Sequence, residues 1–323
     1  MIPTFNRMDT LPEVLAGLAA QKGAPGFEVL VIDDGSSDAT WSWLEQLSLG
    51  VPCRALRQQN AGPASARNRG VREARGRRVA FLGDDTVPDA GWLAAHERAR
   101  GRFPDHPLLA VLGYTGWHSR MRQTPFLDYI NEYGLQFGYA LIDRPDEVPF
   151  NFFYTSNISL PREALLEEPF ALEFPYAAWE DIEVAYRLEK RGLRLIYEPS
   201  ARVAHDHPTD LERFMDRQEK AGYSAVVFFE KHSELGGFLG LGPQGPPEMP
   251  TASKQRWRER TARILQRIPL PVRTPRLWED LLRFYYIAGL RRGWHERVMQ
   301  RASADAERAD SLPLREIPKE ASP

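Results

Sequence analysis

Phe27-Glu28-Val29-Leu30-Val31-Ile32-Asp33-Asp34-Gly35-Ser36 is the stretch that decides the fold. A short apolar run closed by Asp, Gly and Ser reads as a strand buried on both faces, the kind that parallel sheets contain. Ahead of it, Leu11, Val14, Leu15 and Leu18 have helical spacing within Leu11 to Gln21. Behind it, Ser37 or Asp38 can cap a helix carrying Trp41, Leu44 and Leu47. Arg54-Ala55-Leu56-Arg57 then reads as a short strand and Ser65 to Glu73 as a helix. Arg78-Val79-Ala80-Phe81-Leu82 is a second buried strand, ending in Gly83-Asp84-Asp85. Strands alternating with helices predict an α/β layered domain with a largely parallel sheet. Ligands of such sheets bind beyond the carboxyl ends of the strands, where both acid pairs stand.

The chain has 323 residues, of which 42% are hydrophobic and 27% charged, as in a soluble globular protein with a core of its own. A single cysteine, Cys53, excludes a disulfide framework and any multi-cysteine metal site. The formal charge of −2 hides two opposed parts. Residues 1–250 hold 26 Lys and Arg against 35 Asp and Glu, whereas residues 251–301 hold 13 against 4. That basic stretch interleaves Trp257, Trp278, Phe284, Tyr285, Tyr286 and Trp294. Its composition suits an interfacial helix on an anionic membrane, and equally a helical pair packed on the rest of the chain or on another subunit. A homodimer is therefore an open expectation. Met1 to Arg7 has neither a basic nor an apolar leader segment, and no apolar window reaches the roughly 18 residues of a membrane span. A cytoplasmic protein is expected, with peripheral contact at the inner membrane face as an option. From residue 209 the pattern becomes helical: Leu211 to His232, a Gly- and Pro-rich linker near 236–250, then helical stretches broken by Pro269, Pro271 and Pro275. A frayed tail is expected from residue 302.

Several residue groups could carry chemistry. Asp33 and Asp34 before Gly-Ser fit an Asx turn and helix cap as well as a ligand site. Adjacent carboxylates at Asp84 and Asp85 repel each other and gain most from a divalent cation. Asn60 to Gly70 is a small-residue loop opening a helix, whose free N–H groups, with Arg67 and Arg69, can hold an anion. A solvated basic helix face explains the same residues. Glu180 and Asp181 sit at a helix start, where the dipole favours negative charge with or without a further role. His205-Asp206-His207-Pro208 follows a short strand at Arg194 to Tyr197, and a histidine there can reach a metal. Gly240 to Gly245 formally matches G-x-G-x-x-G, but no strand leads into it and prolines follow, so it reads as linker.

Pro3-Thr4-Phe5, Ile32-Asp33-Asp34-Gly35-Ser36, Gly62-Pro63-Ala64-Ser65-Ala66-Arg67-Asn68, Phe81-Leu82-Gly83-Asp84-Asp85 and Trp179-Glu180-Asp181, in this order, resemble family 2 glycosyltransferases. The resemblance covers residues 1–208. It implies a GT-A domain, an αβα sandwich on a mostly parallel sheet, with residues 209–323 as a helical extension. It also implies a nucleotide-sugar donor, an inverting transfer to a glycan or lipid-linked acceptor, and Mg2+ or Mn2+ as cofactor. By position, Pro3, Thr4 and Phe5 line the base pocket, Asp34 accepts from the base, and Arg67 lies near base or diphosphate. Asp85 matches the metal ligand, Asp84 points to the donor ribose or sugar, and His205 adds a ligand. Asp181 matches the catalytic base with Glu180 beside it, and Asn157 falls near the acceptor side. Two departures stand out. Only Met1 and Ile2 precede Pro3, so the first strand is short or begins upstream, and Gly83 replaces the first acid of the usual Asp-x-Asp. A non-catalytic membrane-associated scaffold and a dinucleotide oxidoreductase are the alternatives, and no nucleic-acid partner is expected. The aromatics between Trp117 and Tyr154 read half as core, half as an acceptor wall.

Overall fold

In the computed structural model, which describes residues 1–265 and 275–299, β1 (Ile2–Thr4) and β3 (Cys53–Arg57) flank β2 (Val29–Asp33), both in parallel. Met1 carries the ladder on to β4 (Arg78–Leu82): its nitrogen donates to the Ala80 carbonyl at 2.7 Å, and the Leu82 amide donates to its carbonyl at 3.2 Å. Beyond β4 lie, in spatial order, β7 (Asn157–Pro161), β6 (Leu109–Trp117), β8 (Arg194–His205) and β5 (Thr86–Pro88). β7 and β5 run against the rest, so the sheet is mostly parallel as expected.

The alternation within β2 explains its unbroken burial. Val29 and Val31 face α1 (Leu11–Ala19), together with Leu44 of α2 (Thr40–Leu44) and Trp92 of α4 (Trp92–Gly101). Leu30 and Ile32 face Ala66 of α3 (Pro63–Glu73). Farther along that second face, Val79, Phe81 and Ile158 pack against α6 (Arg162–Glu167) and α7 (Glu180–Lys190). Each such side chain taken fully from water contributes about 1.5–3 kcal/mol. β1 spans three residues against five in β2 and β4. A slot of about 340 Å³ lies there, lined by Val29, Leu30, Arg78 and Val79.

β8 is longer than the short strand expected at Arg194 to Tyr197. Gly113 pairs with Glu198 and Tyr114 with Arg202, so residues 199–201 bulge out of register and the strand resumes to His205. Glu198-Pro199-Ser200 breaks the apolar pattern, which ended the sequence reading too early. Asn157 stitches the bulge: its Nδ2 donates to the Tyr114 and Ala201 carbonyls, and its Oδ1 accepts from Trp92 Nε1. Fully buried with both ends of its amide engaged, Asn157 faces the core, not an acceptor.

α5 (Pro125–Glu132), α8 (Leu211–Lys231), α9 (Ala252–Leu265) and α10 (Pro275–Gly293) form the helical part. α8 and α10 cross almost backbone to backbone. A Cβ on Gly222 would lie 2.0 Å from the Tyr286 carbonyl, and one on Gly289 1.9 Å from that of Glu219, so only glycine fits at either position. Phe126, Phe214, Trp278 and Leu281 join α5, α8 and α10 in one core. Of the six aromatics in the basic stretch, Trp278 is buried, Trp257 is exposed and the others are half-buried, so the stretch packs mainly on the rest of the chain. Residues 236–250 likewise bury Leu239 and Leu241, and Gly242 and Gly245 close a turn on each other. Pro269, Pro271 and the tail expected from residue 302 lie outside the described residues. Among those described, no helix is long and apolar enough to cross a membrane. Phe126, Phe137, Tyr139, Phe152 and Phe153 are core, whereas Tyr133 is exposed.

Candidate active site

Because β1, β2, β4, β6 and β8 run the same way, their carboxyl ends open on one edge. The antiparallel β7 delivers the residues preceding it, Tyr154 to Ser156, to that edge. A cleft of about 1200 Å³ lies there, with α8 and α10 forming its far wall. That volume exceeds the roughly 300–1,000 Å³ of a site for one small ligand and leaves room for two substrates.

Asp84 and Asp85 follow β4, His205 ends β8, and His207 stands two residues on. Asp85 Oδ1 lies 3.4 Å from His205 Nε2, and Oδ2 lies 3.1 Å from His207 Nδ1. One ligand atom from each of the three lies within 4.8 Å of the others. Two imidazoles and a carboxylate suit a borderline divalent cation such as Mn2+ better than Mg2+, which prefers oxygen alone. His205 Nδ1 is buried without a protein partner, and its ring stacks between Trp117 at 5.5 Å and His207 at 5.4 Å. Arg7 bridges both acids, at 3.4 Å to Asp84 and 3.7 Å to Asp85. Burial and then the Asp85 charge push the Asp84 carboxyl up to about 7, against the pull of Arg7. Burial works in the same direction on Asp85, but His205 and His207 outweigh it and hold that carboxyl well below the usual range. The two adjacent carboxyls are thus shifted in opposite directions.

Across the cleft, α7 begins after Trp179, a non-glycine residue held at φ 74° by its indole bond to the Ala221 carbonyl. Such strained backbone is most often found at functional sites. Glu180 is buried and accepts from Arg67 Nη1 at 2.8 Å, and the Arg67 guanidinium lies over Phe170. Asp181 is half-buried at the cleft surface. Its Oδ2 accepts from the Thr155 amide at 3.3 Å and hydroxyl at 3.4 Å, and its Oδ1 from the Ile182 amide at 2.9 Å. Burial and the neighbouring Glu180 charge raise its carboxyl to about 6, with Arg67 opposing.

The cleft thus gathers Pro3, Arg67, Asp84, Asp85, Glu180, Asp181 and His205. Thr4 is buried beneath, and Phe5 stands exposed just past β1. Asp34 lies apart from the cleft lining: its two oxygens accept from the Ala61 and Gly62 amides and from Gln58, which makes it the anchor of the loop entering α3. Sequence reasoning missed His207, Arg7 and Thr155. His207 had a signal, since residues two apart in an extended chain share a face with His205. Arg7 and Thr155 had none, because only the fold brings them to the acids.

A carboxylate at a facing helix start, opposite acids on the carboxyl edge of an αβα sandwich, defines a domain of the GT-A glycosyltransferase class. The family model described as glycosyl transferase family 2 matches residues 1–157, and that part of the chain belongs to this family. The chain is 29% identical over 256 residues to a pre-mycofactocin glycosyltransferase of Mycobacterium tuberculosis, a match covering 72% of this chain and 48% of the relative. It is 30% identical over 270 residues to a validoxylamine A glucosyltransferase of Streptomyces hygroscopicus, covering 73% and 56%. It thus spans about half the length of these relatives. In fold it matches a mannosyltransferase from Pyrobaculum calidifontis in complex with GDP-Man and Mn2+, with a TM-score of 0.60, 18% identity, and coverage of 92% of this chain and 86% of the other.

Proposed function

We propose that the chain moves a sugar from a nucleoside-diphosphate-sugar to a hydroxyl of a glycan or lipid-linked acceptor, by one in-line displacement that inverts the anomeric carbon. The observation that carries this reading is the Asp181 carboxylate, oriented by Thr155 and Ile182 and facing Asp85, His205 and His207 across one cleft. With its carboxyl at about 6, Asp181 is ionised at neutral pH yet basic enough to take the acceptor proton as the hydroxyl attacks. Glu180 keeps that basicity high and is itself neutralised by Arg67, so the two acids need not repel each other out of position.

On the donor side, Pro3, Thr4 and Phe5 form the entrance for the base, with the exposed Phe5 ring as the stacking surface. The Asp84 carboxyl can hydrogen-bond a ribose or sugar hydroxyl. Asp85, His205 and His207 would hold a divalent cation, which when bound offsets the charge that builds on the leaving diphosphate. Arg7, beside both acids, supports the same charge. The names of the relatives support sugar transfer, and the GDP-Man and Mn2+ in the mannosyltransferase of like fold support the donor class. Peripheral contact with an anionic membrane, in a cytoplasmic location, rests on the exposed face of α9, where Lys254, Arg256 and Arg260 surround Trp257. Asp181→Asn tests the reading: transfer from UDP- or GDP-sugars should fall by at least about 100-fold while calorimetry with nucleotide and Mn2+ shows binding retained. Undiminished turnover would overturn it.

A further inference from the structure

The far wall of the cleft differs electrostatically from its floor. On the floor each cation faces an acid: Arg7 pairs with Asp84 and Asp85, and Arg67 with Glu180. On the wall, Arg213, Arg217 and Lys220 stand at i, i+4 and i+7, one face of α8, and all three line the cleft. They span about 10 Å of helix axis. The Arg213 guanidinium donates to the Pro208 carbonyl and that of Arg217 to the Gln136 side-chain oxygen, neither of which is charged. Arg283 reaches the same cleft from α10 with no ion pair or hydrogen bond among the described residues. The wall's own acids are Asp216, held by Lys220 at 2.6 Å, and Glu279. Arg217 lies within electrostatic reach of Asp181, Glu180 and Asp85, which line the same cleft.

We infer that this wall binds an acceptor carrying an anionic group, phosphate or carboxylate, and so sets acceptor specificity at the site proposed above, on which the inference rests. This row of cations starts beside the metal-ligand cluster, where Arg213 meets Pro208, and runs to Lys220, next to the Ala221 carbonyl that holds Trp179. It therefore extends past Asp181, beyond what a diphosphate held near Asp85 would need. Arginines without acid partners lining a concave site favour planar oxyanions by forked hydrogen bonds. An acceptor hydroxyl near such a group would be held in front of Asp181 by charges that the donor does not consume.

The test is calorimetric titration of the full chain, first with UDP and with GDP in Mn2+. With the tighter nucleotide present, it continues with glucose 6-phosphate, glucuronate and glucose. At least one anionic sugar should bind about tenfold more tightly than glucose, and the Arg217→Gln/Arg283→Gln double variant should lose that preference while nucleotide affinity changes by less than about twofold. Phosphate or carboxylate is then identified by which sugar binds. Equal binding of all three sugars, no binding of either anionic sugar, or a double variant that weakens nucleotide in step with sugar would overturn the inference. Absence of nucleotide binding would instead sink the underlying functional reading.

Discussion

Two strand ends of this protein carry the same pair of letters. Asp33-Asp34 closes β2 and Asp84-Asp85 comes just after β4, both at the carboxyl edge of one sheet. At the first, Asp33 is closed off by Arg57 at 3.2 Å and the Ser36 amide, and Asp34 by the Ala61 and Gly62 amides. At the second, the carboxylates meet two histidines and an arginine around an open cleft. The first pair spends its charge on organising backbone, and the second turns it toward the cleft. A doublet of aspartates thus says where polar chemistry can stand, and the neighbours brought by other strands decide whether it is structural or catalytic.

Four measurements would break or sharpen that contrast. The largest effect is expected opposite the second pair: Asp181→Asn should lower the transfer rate by about 10²–10⁴-fold, the usual share of a general base, with nucleotide affinity held. Next, Asp85→Ala should weaken Mn2+-dependent nucleotide binding about 100-fold and His207→Ala about tenfold, read by calorimetry with and without the ion. If His207→Ala had no effect, the three-residue cluster would reduce to two. At the first pair the effect should be on folding instead. Asp34→Ala strands two loop amides and should cost about 1–3 kcal/mol, seen as a lower Tm, whereas a wild-type Tm would make the two pairs alike. The smallest effect is a shift in pH dependence. Only the ionised Asp181 accepts a proton, so the rate should fall as pH drops through about 6, not through the 4 of an ordinary carboxylate. Glu180→Gln removes a raising charge and releases Arg67, so that acid limb should move to lower pH by up to about one unit. A limb that stays in place would detach it from Asp181.

Much of the fold was legible because burial leaves a period in the sequence. β4 was read residue for residue, β2, β3, α1 and α3 within two residues at each end, and the start of α7 at Glu180. β8 was cut short, since a bulge needs no apolar residue and Asn157, a distant side chain, closes it. The basic C-terminal stretch read equally as a membrane face or a packed pair, because amphipathic periodicity is the same for either partner. Gly222 against Gly289 settles the pairing of α8 with α10, and no single helix encodes a crossing.

By itself, then, the sequence determined the α/β alternation, the edge on which the acids stand, and five motifs in an order that points to one family. Each of these follows from local pattern along the chain. Only the tertiary structure decided that Asp85 meets His207 as well as His205, that Arg67 answers Glu180, that Asp34 serves its own loop, and that α8 turns a row of cations toward Asp181. Those are contacts between residues up to 122 positions apart, set by how strands order and helices cross, and electrostatic partnership acts through space.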